Sequence, residues 1–174
     1  GSDFFNVVQR ELGSLPFIAE DLGVITDDVN ELRDRFQLPG TRVLQFAFDG
    51  DPANPYLPQN FNENSVVYTG THDNNTTRGW FRGLSAEERL PIYQLLQRAE
   101  VSGAEIAPLF LEQAWSSVAM LSIAPLQDLL NLGEEARMNT PGSCEGNWRW
   151  RCTTDLLSES AFHSLQKLTT MEER

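Results

Sequence analysis

Residues 17–48 read FIAEDLGVITDDVNELRDRFQLPGTRVLQFAF, and their order decides the fold. A short apolar run, Phe17 to Ala19, ends in the acids Glu20 and Asp21. A helix signal follows: Thr26 stands where an N-cap belongs, and Asp27 and Asp28 suit the positive end of a helix dipole. Apolar residues then recur at Ile25, Val29, Leu32 and Phe36, the spacing of one helical face. Pro39-Gly40 stops the helix. The next run, Arg42 to Phe48, is apolar on both faces apart from Gln45, as a strand buried inside a parallel sheet reads. Strand, helix and strand in so few residues predict a βαβ unit with a right-handed crossover.

The pattern continues along the chain. Residues 65–69 predict a third strand and Ser117 to Ala124 a fourth. Ser85 and Glu88 form a capping-box signature, with Pro91 expected to break that helix early and restart it. Further helices are expected at Glu105 to Trp115, from Pro125 to Gly133, and over 155–171, whereas 137–152 reads as a tryptophan-rich loop. About four parallel strands with intervening helices fit an α/β fold, either a small doubly wound sheet or part of a (β/α)8 barrel. A whole barrel needs at least about 200 residues, and this chain has 174. One domain, 1–174, is expected.

Composition narrows the function. Hydrophobic residues make up 40% and charged residues 22%, the balance of a globular protein. A net charge of −12 argues against nucleic acid and against an anionic membrane surface. It fits an uncharged ligand, and it also fits mere solubility. Cys144 and Cys152 are too few for a disulfide scaffold and suit a reducing compartment. With no Cys-x-x-Cys and histidines only at 72 and 163, no metal site is expected.

In either architecture the site lies at the C-terminal ends of the strands. There the sequence delivers Glu20-Asp21, Asp49, His72-Asp73 and, after the fourth run, Gln127 and Asp128. Any one of these acids is more often a solvated strand end than a functional group. Together with His72, Asn74 and Asn75 they raise a carbohydrate site, with Tyr68, Trp80, Trp148 and Trp150 as aromatic faces for sugar rings. Taken singly, each tryptophan is more simply core. Glycosidic cleavage asks for one carboxylic acid to protonate the leaving oxygen and a carboxylate to meet the oxocarbenium-like centre. Competing chemistries fail for want of residues. A metallophosphohydrolase needs more histidines, a serine hydrolase a Gly-x-Ser-x-Gly elbow, and a nucleotide-binding protein a Walker A or Gly-x-Gly-x-x-Gly loop.

Five ordered blocks carry a more specific signal: FIAEDLGVITDDVNELRDRF, LPGTRVLQFAFDG, NPYLPQN, VVYTGTHDNNTTRGWF and RMNTPGSCEGNWRWR. Together they resemble the C-terminal part of the amylomaltase (disproportionating enzyme) family, 4-α-glucanotransferases of glycoside hydrolase family 77. The resemblance runs from about Phe4 to Arg151. It implies the second half of a (β/α)8 TIM-type barrel and a cofactor-free, retaining transfer of α-1,4-glucan segments between maltodextrins. Glu20 matches the general acid/base and Asp73 the carboxylate that supports the transition state. His72 matches a sugar-binding neighbour, and Asp49 and Asn139 match further substrate contacts. Thr41 replaces a usual methionine, and Asn75 a commoner aspartate. The nucleophilic aspartate of the family lies before anything corresponding to Gly1. The resemblance therefore implies α-1,4-glucans (maltodextrin, starch-derived oligosaccharides) and a missing N-terminal barrel half as partners. It implies a cytoplasmic location, or a plastid one for a plant or alga. The alternative is an inactive half-barrel that binds glucan weakly or self-associates through its open edges.

Overall fold

Parallel pairing over long sequence separations organises the chain. The computed structural model describes residues 1–157 and 159–172. Helix α1 (Ser2–Leu12) ends at Gly13, whose φ of 74° is the left-handed conformation that glycine adopts without a Cβ penalty. Helix α2 (Asp27–Arg35) starts after Thr26, as the acids of its first turn require. Strand β1 (Gly40–Val43) pairs with β2 (Ser65–Tyr68), Gly40 opposite Ser65 and Val43 opposite Tyr68. Helices α3 (Thr77–Gly83), α4 (Ala86–Leu95) and α5 (Ile106–Trp115) then lead to β3 (Leu121–Ile123), which pairs with β2. Helices α6 (Leu126–Leu129) and α7 (Glu159–Met171) follow. The sheet order is β1-β2-β3, all parallel. The central β2 is buried at Ser65, Val66 and Val67, as its unbroken apolar pattern demands.

Four expectations are corrected. Among the described residues the sheet has three strands, not four: the run at Phe17 contributes one parallel bridge, Ala19 to Gly40. There Thr41 and Pro39 take up the Ala19 carbonyl and amide, while Phe17 and Ile18 remain largely exposed. The second strand stops at Val43 because residues Leu44–Phe46 wind into a 3₁₀ turn. That turn points the Gln45 side chain inward, where it donates to the Asn75 carbonyl (3.0 Å). Pro91 does not break α4. The predicted Ser85–Glu88 capping box forms in both directions and starts the helix firmly. Fully buried Ile92 then holds the turn after the proline in the core, offsetting a missing helix bond worth ~3 kcal/mol. Finally, the last helix is described over Glu159–Met171, and 154–156 form a separate 3₁₀ turn.

The main hydrophobic cluster joins α5 to the sheet and to α3 and α4. Ile106, Phe110, Leu111 and Ala114 of α5 pack with Phe81, Ile92, Leu44 and Val67. Trp80 belongs here too, 5.5 Å from Phe110 and 5.8 Å from Phe48 between ring centroids. It is therefore a packing residue and not a sugar platform. No helix among the described residues is long and apolar enough to cross a membrane.

Candidate active site

The end of β2 dictates the site. After Tyr68 the chain passes buried Thr69 and Gly70 into a turn that ends at Thr76. Thr76 caps α3 by accepting from the Gly79 amide at 3.0 Å. Asn74 closes the turn from inside: its Oδ1 accepts from both the amide and the hydroxyl of Thr71, each at 2.9 Å. Gly70 is required by close approach, since a Cβ there would meet Gln45 Nε2 at 2.5 Å. His72 and Asp73 are thereby lifted to the rim, with side chains about half exposed (52% and 47%).

The loop 137–148 closes on them. The Asn139 side-chain amide donates to Asp73 Oδ1 at 2.6 Å, and His72 Nε2 lies 3.3 Å from the same oxygen. The Asn139 backbone amide donates to the His72 carbonyl at 3.1 Å. Arg137 donates to two carbonyls, that of Asp73 (2.9 Å) and that of Asn139 (2.8 Å), splinting the two segments together. The Trp148 ring packs against His72, tilted by 35° with centroids 5.2 Å apart. Trp148 takes a φ of 60°, uncommon for a bulky residue, and its amide donates to the Met138 carbonyl at 2.6 Å. The sequence pattern contains these residues but gives no sign that Arg137 is the splint.

A cavity of about 230 Å³ opens beside this cluster, lined by Tyr68, His72, Asn75, Pro125, Gln127 and Arg137 among others. Burial raises the Tyr68 hydroxyl above its usual 10, and the negative charge of Glu20 raises it further. Glu20, exposed just past the Ala19 bridge, thus faces the same end of the sheet as Tyr68. Asp49 lies elsewhere. It lines a second cleft, of about 660 Å³, with Asp21, Arg33, Arg42 and Tyr56. The Asn54 side chain and the Asp51 amide hold its carboxyl below the ordinary 3.8.

Two acids expected on the rim are buried ties instead. Asp21 accepts from Arg33 of α2 and from the Thr41 amide of β1, both at 2.6 Å. Asp128, only 1% exposed, accepts from Thr69 and Thr77. Among the described residues, no group of three or more histidine, cysteine or acidic side chains is placed to hold a metal ion.

The arrangement offers groups that can hydrogen-bond a polyhydroxylated ring: a carboxylate steadied by an amide and, beside it, an imidazole that lines an open cavity and packs against an indole. An exposed glutamate lies toward the same end of the sheet. Known proteins support the same family. A family profile described as 4-alpha-glucanotransferase matches residues 1–157. The 4-alpha-glucanotransferase of Synechocystis sp. is 49% identical over 91% of this chain and 32% of that protein. The chloroplastic/amyloplastic 4-alpha-glucanotransferase of Solanum tuberosum is 48% identical over 87% of this chain and 26% of its own length. A solved amylomaltase from Streptococcus agalactiae, in complex with acarbose, superposes with a TM-score of 0.91 at 32% identity. That match covers 99% of this chain and 35% of the other. The chain spans about a third of the length of the curated relatives it matches.

Proposed function

Because this chain belongs to the 4-alpha-glucanotransferase family, glycoside hydrolase family 77, we propose that it forms the acid/base and sugar-gripping part of an enzyme that moves α-1,4-glucan segments between acceptors. Glu20 protonates the leaving glycosidic oxygen and, in the second half of the reaction, takes the proton from the incoming 4-hydroxyl. Asp73 grips hydroxyls of the reacting sugar as the ring flattens toward its oxocarbenium-like state, a contact that strengthens in the transition state. Asn139 holds that carboxylate, and His72 and Trp148 give the sugar a polar edge and an apolar face. Asp49, in its own cleft, takes a more distant part of the glucan. The attacking carboxylate of this retaining mechanism comes from outside these residues, on the strands that complete the barrel.

The observation that carries the reading is the 2.6 Å contact of Asn139 with Asp73 beside His72, which itself lines an open cavity. The acarbose bound by the Streptococcus amylomaltase supports an α-glucan as the ligand. The test is Glu20→Gln in the complete enzyme, with maltotriose as donor and acceptor. Loss of about 10²–10⁴-fold in transfer is expected from removing a general acid/base. A variant that keeps a tenth of the rate would refute the role.

Exposed apolar residues favour a second role for the same chain, association through an open edge. Val118, Met120 and Leu121 are 57%, 63% and 44% exposed beside and within β3. An uncovered edge strand is a template for pairing, with further barrel strands or with a second copy. Light scattering of the 174-residue chain distinguishes a monomer from such a dimer.

A further inference from the structure

One buried carboxylate holds both ends of the turn that carries His72 and Asp73. Asp128 Oδ2 accepts from the hydroxyls of Thr69 (2.6 Å) and Thr77 (2.7 Å), and its Oδ1 accepts from the Thr77 amide (2.8 Å). Thr69 is the residue after β2 and Thr77 opens α3, so residues 70–76 arch between two points of the same side chain. Thr69 and Thr77 are fully buried and Asp128 nearly so.

The comparison with Asp21 is informative. Asp21 is buried too, but it has a cation, Arg33 at 2.6 Å, and reads as a tie between α2 and β1. No basic side chain lies within ion-pair distance of Asp128 among the described residues. An ionised carboxylate left in the core without a countercharge is costly, and a neutral residue would hold the same packing at less cost. Burial accordingly pushes the Asp128 carboxyl upward against the opposing pull of its three hydrogen bonds. What a carboxylate supplies and no neutral side chain matches is acceptor capacity on two oxygens at once. That capacity is needed only if donors arriving from two directions must meet at one point. Gln45 braces the same arch from the other side through the Asn75 carbonyl, so the turn is fixed at three places beneath its rim.

We propose that Asp128 is a positioning residue of the sugar site: by drawing Thr69 and Thr77 onto one carboxylate, it sets the height and tilt of the turn and hence the placement of His72 and Asp73, neither of which it touches. The proposal rests on the reading of His72 and Asp73 as sugar-binding groups.

The experiment uses Asp128→Asn, Thr77→Val and, for contrast, Asp21→Asn in the 174-residue chain. Two readouts are taken: the imidazole NMR signals of His72, with His163 as internal reference, and titration with acarbose. Asp128→Asn keeps side-chain size and relieves the buried charge, so the fold survives with an unfolding midpoint at or near that of the parent. Its His72 signals move while those of His163 stay, and acarbose affinity falls by up to about a hundredfold, the scale of a small misplacement of binding groups. Asp21→Asn lowers the unfolding midpoint and leaves the His72 signals unchanged. If Asp128→Asn does not fold, Thr77→Val, which retains the backbone bond to Oδ1, decides by the same signals. Parent-like His72 signals in a folded Asp128→Asn or Thr77→Val variant overturn the proposal. Absence of acarbose binding by the parent chain counts against the sugar-site reading instead, and the His72 signals alone then decide the positioning role.

Discussion

Asn139→Ala in the complete enzyme isolates the contact on which the site reading depends. The substitution removes the donor at 2.6 Å from Asp73 Oδ1. It leaves the Asn139 amide on the His72 carbonyl and Arg137 on the Asn139 carbonyl, so the loop keeps its path. A hydrogen bond to a charged acceptor is worth ~1.5–3 kcal/mol where water is excluded. Asp73 is 47% exposed, and water recovers part of that, leaving about 1–1.5 kcal/mol. Such a loss of transition-state stabilisation lowers kcat/KM roughly five- to tenfold. The assay is release of glucose from maltotriose at several concentrations, with kcat and KM resolved. Under the proposed role of Asp73, a grip that is firmest at the transition state, the fall should lie in kcat. Asn139→Asp should lose more than the alanine variant, since it sets two carboxylates against each other. In a double-mutant cycle with Asp73→Asn the losses should be non-additive. Additive losses, or a changed KM with kcat intact, would refute the coupling and leave Asn139 a loop residue.

Three further outcomes are expected. Gly70→Ala drives a methyl into Gln45 and off-sets its bond to Asn75, costing ~1–3 kcal/mol and lowering the thermal midpoint of the chain by roughly 2–10 °C; an unchanged midpoint would show the turn to be softer than its contacts imply. The Glu88 carboxyl is held below its usual 4.5 by the Ser85 amide and hydroxyl, so its capping contribution is present above pH 4.5 and disappears as pH falls through the lower folded value. An NMR titration should place its midpoint below 4.5, and a midpoint at or above that would mean the cap is open in solution. Incubated alone with maltotriose, the 174-residue chain should yield no glucose or longer maltodextrins, because a retaining reaction needs two carboxyls about 5–5.5 Å apart. Asp21 is spent on Arg33 and Thr41, and Asp49 faces another cleft. Transfer products would point to a nucleophile lent by a second copy.

How far the sequence reaches differs from element to element. Helix α2 is local, written in caps and periodicity, and it appears where the pattern puts it, although it ends at Arg35 before left-handed Gln37 and Gly40 already belongs to β1. The same holds for the Ser85–Glu88 box. The end of β1 is not local: Val43 to Phe48 reads as one apolar run, and only the distant carbonyl of Asn75 explains why Gln45 turns the chain out of the sheet. Helix α1 stands outside the sequence expectations, although Phe4, Phe5 and Val8 repeat at helical spacing and Gly13 terminates it. Its half-buried face meets Phe17 and Phe36 from outside the helix, with the Phe5 and Phe36 rings 5.1 Å apart. At the site, the strand-end pattern points to His72 and Asp73, only the family resemblance points to Asn139, and the three come into contact. Trp148 is one of four aromatic candidates, and nothing in a linear string distinguishes it from Trp80. Asp128 reads in sequence as one more acid at a strand end. Its meaning lies in Thr69 and Thr77, which only the parallel crossover from β2 to β3 brings within reach.

That crossover also sets a clock. Val66 pairs with Leu121, on the order of fifty residues further along the chain. At a ribosome adding about 5–20 residues each second, β2 emerges roughly 3–10 s before the strand that will cover its second edge. During that interval Val66 and Val67, the driest part of the finished sheet, are an open apolar edge within a nascent chain. β1 is already present and can take one side, but the other waits. Crowded synthesis, fast elongation or the absence of a holding chaperone therefore threatens this protein first at β2, before any residue of its site has taken shape.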